Sequence, residues 1–416
     1  MGQPPRTALG SVGVTRAPVR DCALADRDLA PAHATAAEDL EEVVRTLAGW
    51  ERPSASPGER RAAEWIAARL QRIGIRTVRL EEEPAHGGYW WPMGLLSLAS
   101  AAAALAPGRT ARTAIAGVGA LGIWDELELH RGVWTRRFLR RRRTTNVVAE
   151  IGPPEASRCV IVIAHHDAAH SGAVFNPAAV RAFARRFPWA IERMRIWPRL
   201  MRLVLAGPVL VALGARRLGA AFSLAAAAAF ADIGRSPVVP GANDNLTGVA
   251  ALIAVARALH DAPVPGLRVI LVSAGGEESF EEGSQAFFRR HAGELHRSPT
   301  KVIAVDTVGS ASLVLVEGEG MVRRIEYEPA LKDVLEAAAR AADVPIVREH
   351  WLSFASDALA GIRAGYASAL LGSFNELKLP ANYHSPTDTP EHVEFETVAG
   401  AARVVERAIR LLAGST

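Results

Sequence analysis

The chain has 416 residues, of which 49% are hydrophobic, enough apolar material to build a large core. Its formal charge of +4 is concentrated in "TRRFLRRRRTT", where six arginines fall in positions 136–143. With no aromatic-interleaved basic groove and no recognised binding motif around that run, the sequence argues against a nucleic-acid partner. Cys22 and Cys159 are the only cysteines, which excludes a disulfide framework and permits a reducing compartment.

In chain order, residues 1–37 contain no continuous apolar stretch of the kind a secretory signal requires. They read as a disordered N-terminal arm, and a cytoplasmic location is expected. Helical patterning starts at "AEDLEEVVRTLAGW" and continues in "ERRAAEWIAARLQRIGI", where Ala62, Trp65, Ile66, Arg69, Leu70 and Ile73 form a mostly apolar stripe. "IRTVRLEE" is strand-like, as are the Val- and Ile-rich "TTNVVAEIG" and "RCVIVIAHHD". From Pro237 the alternation is continuous. Helix "LTGVAALIAVARALH" is followed by strand "LRVILVSA", a helix around "GSQAFFRRH", strands "KVIAVDTV" and "SLVLVEG", helix "LKDVLEAAARAA", strand "YASALLGS" and the closing helix "FETVAGAARVVERAIRLLA". Alternation of this kind predicts an α/β fold, a mostly parallel central sheet flanked by helices.

The pattern breaks twice, over 85–143 and over 177–236, so the expectation is one domain over 38–414 that carries two hydrophobic helical-hairpin insertions. The uncharged runs 89–107, 113–124, 203–215 and 218–231 are paired by short turns holding Arg109 and Arg112, or Arg216 and Arg217. Only the first approaches the ~20 residues needed to cross a bilayer, and shorter runs suit buried helices or interfacial segments. Trp90, Trp91, Trp124, Trp134, Trp189 and Trp197 flank these runs as interfacial tryptophans do. Packing on the domain and docking on a membrane surface both stay open.

In an open α/β sheet, functional groups gather beyond the carboxyl ends of the strands. His165, His166 and Asp167 follow one strand here, Glu277 and Glu278 another, and Asp306 a third. Asp244 in "GANDNLTG" precedes a helix, and His384 lies in the Pro-rich "YHSPTDTP". Each has an ordinary reading: an Asp before a helix is usually a cap, and a glutamate pair is normally solvated. Together they form a set of imidazoles and carboxylates that suits zinc, and a bridging carboxylate can hold two zinc ions ~3.5–4 Å apart.

The order His-x-Asp, Gly-x-Asn-Asp-Asn, Glu-Glu followed by Gly-Ser, strand-terminal Asp, and Tyr-His-x-Pro-x-Asp-Thr resembles the co-catalytic zinc aminopeptidase family. That family includes compact bacterial aminopeptidases, glutamate carboxypeptidase, glutaminyl cyclase and the transferrin receptor. The resemblance covers 38–84, 144–176 and 237–414, and omits the insertions and the arm. It implies a metallopeptidase, an aminopeptidase acting on peptides or amino-acid amides, with two zinc ions. His165 and Asp306 would bind one ion, Glu278 and His384 the other, and Asp244 would bridge them. Asp167 would orient His165, and Glu277 would be the general base toward a metal-activated hydroxide. Tyr383 and Asp357 would contact substrate. The family's alternatives are glutaminyl-cyclase-like acyl transfer and a non-catalytic, receptor-like module.

This sequence departs from the pattern at two points. His166 stands between His165 and Asp167 and is expected to face away, and Ala358 occupies the position of a family histidine in "SFASDALAG". Glu281 and Glu282 are expected to be solvated or to cap the next helix.

Overall fold

The computed structural model describes residues 37–129 and 135–414. Residues 1–36 of the expected arm, with Cys22, and also Trp134 lie outside them. The strands are β1 (Thr77–Ala85), β2 (Arg142–Ile151), β3 (Arg158–His165), β4 (Leu267–Ala274), β5 (Thr300–Val305), β6 (Ser312–Glu319), β7 (Ile325–Glu326), β8 (Ile346–Trp351) and β9 (Ala367–Phe374). They form one sheet in the order β1-β2-β4-β3-β5-β9-β6-β7, with β8 also paired to β6. The expected parallel sheet occupies the centre, β4-β3-β5-β9. Antiparallel pairing takes over at both margins, through β1-β2-β4 on one side and β9-β6-β7 on the other.

Side chains alternate across the sheet, and both faces are apolar because both are covered. On β3, Val160, Val162 and Ala164 join one core, while Cys159, Ile161 and Ile163 join the other. The first core lies under helices α1 (Ala37–Ala48), α2 (Pro57–Ile73), α9 (Thr247–Asp261), α11 (Pro329–Ala341) and α13 (Phe395–Gly414). Ala62, Ile66 and Leu70 are the buried stripe of α2, whose N-terminus is capped by Ser56 and whose end is set by left-handed Gly74. The second core lies under α10 (Glu282–Arg290) and α12 (Asp357–Arg363). Strand β8 and the short α12 have no counterpart in the sequence reading. "IVREHW" places Arg, Glu and His on a half-exposed strand, and seven residues of α12 are too few to show a helical period.

Residues 90–124 and 178–233 form the remaining helices: α3 (Trp90–Ala103), α4 (Arg109–Trp124), α5 (Ala178–Arg186), α6 (Pro188–Arg193), α7 (Leu200–Leu213) and α8 (Arg216–Ile233). Helices α3 and α4 pair, as do α7 and α8, and the two hairpins pack on each other through α3 with α8 and α4 with α7. Among the described residues, no helix is long and apolar enough to cross a membrane.

Candidate metal centre

The parallel centre of the sheet sets the site. Strand β3 ends at His165, β4 leads through Gly275 and Gly276 to Glu277 and Glu278, and β5 is followed by Asp306. The tight path after β4 needs glycine, since a Cβ on Gly275 would lie 2.4 Å from Thr144 Oγ1 and 2.7 Å from Glu59 Cδ. Asp244 lies in the kinked turn 242–246 ahead of α9, after Gly241 in the left-handed region with φ of 60°. His384 comes from the loop that follows β9.

These groups converge. His165 Nε2 is 3.3 Å from Asp244 Oδ1 and 4.0 Å from Asp306 Oδ1. His384 Nε2 is 3.3 Å from Asp244 Oδ2 and 3.2 Å from Glu278 Oε2. The two oxygens of one carboxylate thus face two different imidazoles, each with a further acid beside it. Glu277 Oε2 is 3.8 Å from His165 Nε2. His165, Asp244, Glu278 and His384 are all buried.

Asp167 joins the halves of the site. Its Oδ1 lies 3.4 Å from His165 Nδ1 and accepts the backbone N–H of Glu277 at 3.1 Å. Its Oδ2 accepts the N–H of Glu278 at 3.1 Å and the hydroxyl of Ser54 at 2.6 Å. One carboxylate therefore orients an imidazole and anchors the two consecutive glutamates. His166 turns away, its Nδ1 2.9 Å from Ser273 Oγ, and burial pushes its pKa down to about 4, leaving it neutral. Tyr383 stacks on His384 with centroids 4.0 Å apart. Asp357 is buried at the start of α12 and, among the described residues, pairs with neither histidine of the centre.

The electrostatics call for a cation. Burial raises Glu277 well above the carboxylate range, reinforced by Glu278, Asp357 and Asp306 and opposed by His165. Burial pushes Asp306 up to about 8 and also raises Glu278, against the pull of His165 and His384 respectively. The histidine pKa values rise as well, through their acidic neighbours. Burial disfavours the imidazolium of His384, but Glu278 and Asp244 outweigh it and raise the pKa to about 10; Glu277, Asp167 and Asp244 do the same for His165. Without a metal, the cluster can relieve its crowded negative charge only by taking up protons. Among the described residues, buried Asp244 Oδ2 and Glu278 Oε1 have no hydrogen-bond donor, and His165, Asp244 and Glu278 present ligand atoms within 4.8 Å of one another. Imidazole with carboxylate is a donor set that fits zinc.

Several supporting residues were not singled out from the sequence. Arg52 is fully buried and donates to the carbonyls of Leu47, Trp50, His166 and Pro240, tying the His165 loop to the segment before Asp244. Glu59 accepts the N–H of Ala55, Thr145 and Gly276 and the hydroxyl of Thr144, so it fixes the turn before Glu277. Asp388 accepts the N–H of Asn243 and Asp244. Asp388 was visible as the acid of "YHSPTDTP", whereas Arg52 and Glu59 give no local signal. Of the expectation for Glu281 and Glu282, the solvated alternative is corrected, while Glu281 does stand at the N-cap position of α10, without a side-chain cap bond. Glu281 is buried at the N-terminus of α10. Glu282 accepts from the backbone of His86 and Gly87 and from Ser279 Oγ, and pairs with Arg136 at 2.9 Å. Charged partners brought from residues 86–136 make burial of that carboxylate favourable.

A groove of about 840 Å³ opens beside His384, lined among others by Phe175, Asn176, Gly309, Asn382 and Ser385.

Residues 225–409 match the model of Peptidase family M28. That span holds Asp244, Glu277, Glu278, Asp306 and His384 and leaves out His165 and Asp167. No curated protein sequence matches the chain. Among solved structures, the chain is similar to Bacteroides thetaiotaomicron glutaminyl cyclase, with 16% identity over 90% of this chain and 97% of that one at a TM-score of 0.54. It is also similar to an aminopeptidase from Aneurinibacillus sp. strain AM-1, with 14% identity over 90% and 93% at 0.53. A third is a Zn-dependent exopeptidase from Parabacteroides distasonis, with 13% identity over 90% and 97% at 0.53. At these identities the likeness is one of fold. The match to Peptidase family M28 over 225–409 and the fold similarity to zinc exopeptidases and glutaminyl cyclases agree with the resemblance read from the motifs.

Proposed function

We propose that the protein is an aminopeptidase that removes N-terminal residues from peptides or amino-acid amides, with two zinc positions sharing Asp244. The observation that carries this reading is the facing of Asp244 Oδ1 to His165 and of Oδ2 to His384, both at 3.3 Å. On this reading His165 and Asp306 hold one ion and His384 and Glu278 the other. Zinc, when bound, supplies a Lewis acid that polarises the scissile carbonyl and lowers the pKa of a coordinated water. Glu277 is the proton carrier. Its Oε2, 3.8 Å from His165 Nε2, takes a proton from the attacking water and returns it to the leaving amine. Asp167 positions His165 from one side and the Glu277–Glu278 backbone from the other. Tyr383 and Asp357 contact the substrate, and the groove beside His384 takes up part of its length.

Glutaminyl-cyclase-like acyl transfer is the second reading, favoured by the structural likeness to an enzyme of that name. Chemistry on a single zinc needs one set of ligands, and the complete second set on the other oxygen of Asp244 supports the two-metal reading instead. Turnover of a peptide arylamide against cyclisation of an N-terminal glutamine separates the two. Glu277→Gln should lower arylamide turnover by about 10²–10⁴-fold while metal content is kept; undiminished turnover would remove Glu277 from the role of base.

A further inference from the structure

Helices α3, α4, α7 and α8 form a unit in which side-chain size is distributed against the rule for a water-soluble bundle. Its interior runs through small residues: a Cβ on Gly119 would lie 2.0 Å from Ser100 Oγ, one on Gly207 2.5 Å from Ser223 Oγ, and one on Gly219 2.6 Å from the backbone of Val211. Met93, Ile123, Val211, Phe230 and Ile233 are buried between the helices, but other large apolar side chains point outward. Leu98, Leu121, Leu213 and Leu224, one from each helix, are 51%, 67%, 79% and 52% exposed. An amphipathic helix in water buries such residues, whereas small residues at helix contacts with large ones facing out is the arrangement that lipid favours. Apolar exposure on this scale marks an interaction surface.

Charge identifies the partner. The four runs 90–107, 113–124, 203–215 and 218–231 hold no charged residue. Arginines stand at both ends of them. Arg109, Arg112, Arg216 and Arg217 lie at the two hairpin tips, which are held together by Arg216 donating to the Ala104 carbonyl at 2.6 Å and Thr113 to that of Ala212 at 3.0 Å. At the other end, Arg235 lies over Trp91 and Arg323 over Trp124, each 5.4 Å from the ring centroid. Of the acids near that end, Glu126 and Glu128 are buried and paired with Arg136 and Arg323, while Asp232 is exposed and accepts the Ala173 N–H, so arginines outnumber the exposed acid there. An apolar belt between two arginine rims, with tryptophans at one of them, complements acyl chains flanked by phosphate.

We propose that this four-helix unit docks side-on in the interface of an anionic lipid bilayer, with the belt at the acyl-chain boundary and the arginine rims at the phosphates. A side-on pose agrees with helices of 14 to 18 residues, none of which is long and apolar enough to cross. The unit's base abuts the metal centre, where Tyr89 stacks on Phe280 at 4.4 Å and Phe175 meets His384 at 4.5 Å. Docking therefore holds the centre close to the lipid surface.

The test is flotation of the full chain with phosphatidylcholine vesicles made with and without phosphatidylglycerol. The protein should float with the anionic vesicles, and the bound fraction should drop several-fold at ~1 M salt, where arginine–phosphate attraction is screened. Leu98→Glu/Leu121→Glu/Leu213→Glu should abolish flotation while circular dichroism and turnover of a soluble arylamide are unchanged. Wild-type protein left at the bottom of the gradient with both vesicle types, or a triple variant that floats like wild type, overturns the proposal. So does a concentration-dependent dimer that the same triple variant dissolves and that never floats, since the belt would then belong to a second copy. Flotation requires no turnover, so Glu277→Gln protein reads it equally and the result is independent of the catalytic assignment.

Discussion

The sheet centre and the four-helix unit place side chains by opposite rules. Beneath the sheet, Leu271, Val162 and Ile303 are buried in a continuous apolar core, and the polar groups at the strand ends are held by buried partners. In the unit, glycine and serine occupy the closest helix contacts beside a small buried cluster of Met93, Ile123 and Phe230, and several leucines face out. The difference teaches that burial of large apolar residues defines the region around the metal centre, while close backbone approach defines the helical unit. Substitutions in the two regions should therefore fail for different physical reasons.

The largest effect is expected in the site scaffold. Arg52→Met removes a buried guanidinium, whose pKa burial has already lowered to about 10, and takes its donors away from the carbonyls of Trp50, His166 and Pro240. Denaturant unfolding should register a loss of about 3–5 kcal/mol; a loss below 1 kcal/mol would mean that those loops hold themselves.

Next comes the joint between the two regions. Burial opposes the charge of Glu282, but Arg136, His86 and the Gly87 N–H outweigh it and bring its pKa down to about 2 from 4.5. A depressed folded-state pKa stabilises above the unfolded value, and the contribution fades as pH falls from about 4.5 through about 2. Glu282→Gln should lose about 3 kcal/mol at neutral pH and show a flatter stability profile below pH ~5. Parallel profiles for variant and wild type would contradict the ion-pair account.

Within the helical unit the expected cost is smaller. On Gly219→Val the new Cβ meets Val211 N at 2.6 Å and the Gly207 carbonyl at 2.7 Å, so overpacking should cost about 1–3 kcal/mol in thermal unfolding. An unchanged melting temperature would show that α7 and α8 separate without penalty.

How much could be read from the sequence divides along the same line. Strands β3, β4 and β5 are continuous apolar runs ending in His165, Glu277 and Glu278, and Asp306, so position and chemistry coincide locally. Asp244 and His384 sit in short motifs of their own. Arg52 was illegible because its partners are backbone carbonyls as far as 189 residues away, and a carbonyl leaves no mark on composition. Glu59, in the first turn of α2, has the appearance of an ordinary acid favoured by the helix dipole. Glu282 looked solvated because Arg136 and His86, which neutralise it, come from the segment where the α/β pattern breaks. The apolar runs of the helical unit were plain in the sequence, but periodicity does not say which face is inside when every face is apolar.

The two-metal assignment rests on one carboxylate, so Asp244 is the place to test it. Zinc titration of metal-free protein, followed by calorimetry and by metal analysis after desalting, should give two equivalents for wild type. Asp244→Ala should lose affinity at both positions together. A wild-type stoichiometry of one, or an Asp244→Ala variant that still binds two equivalents as tightly, would contradict a shared bridging carboxylate.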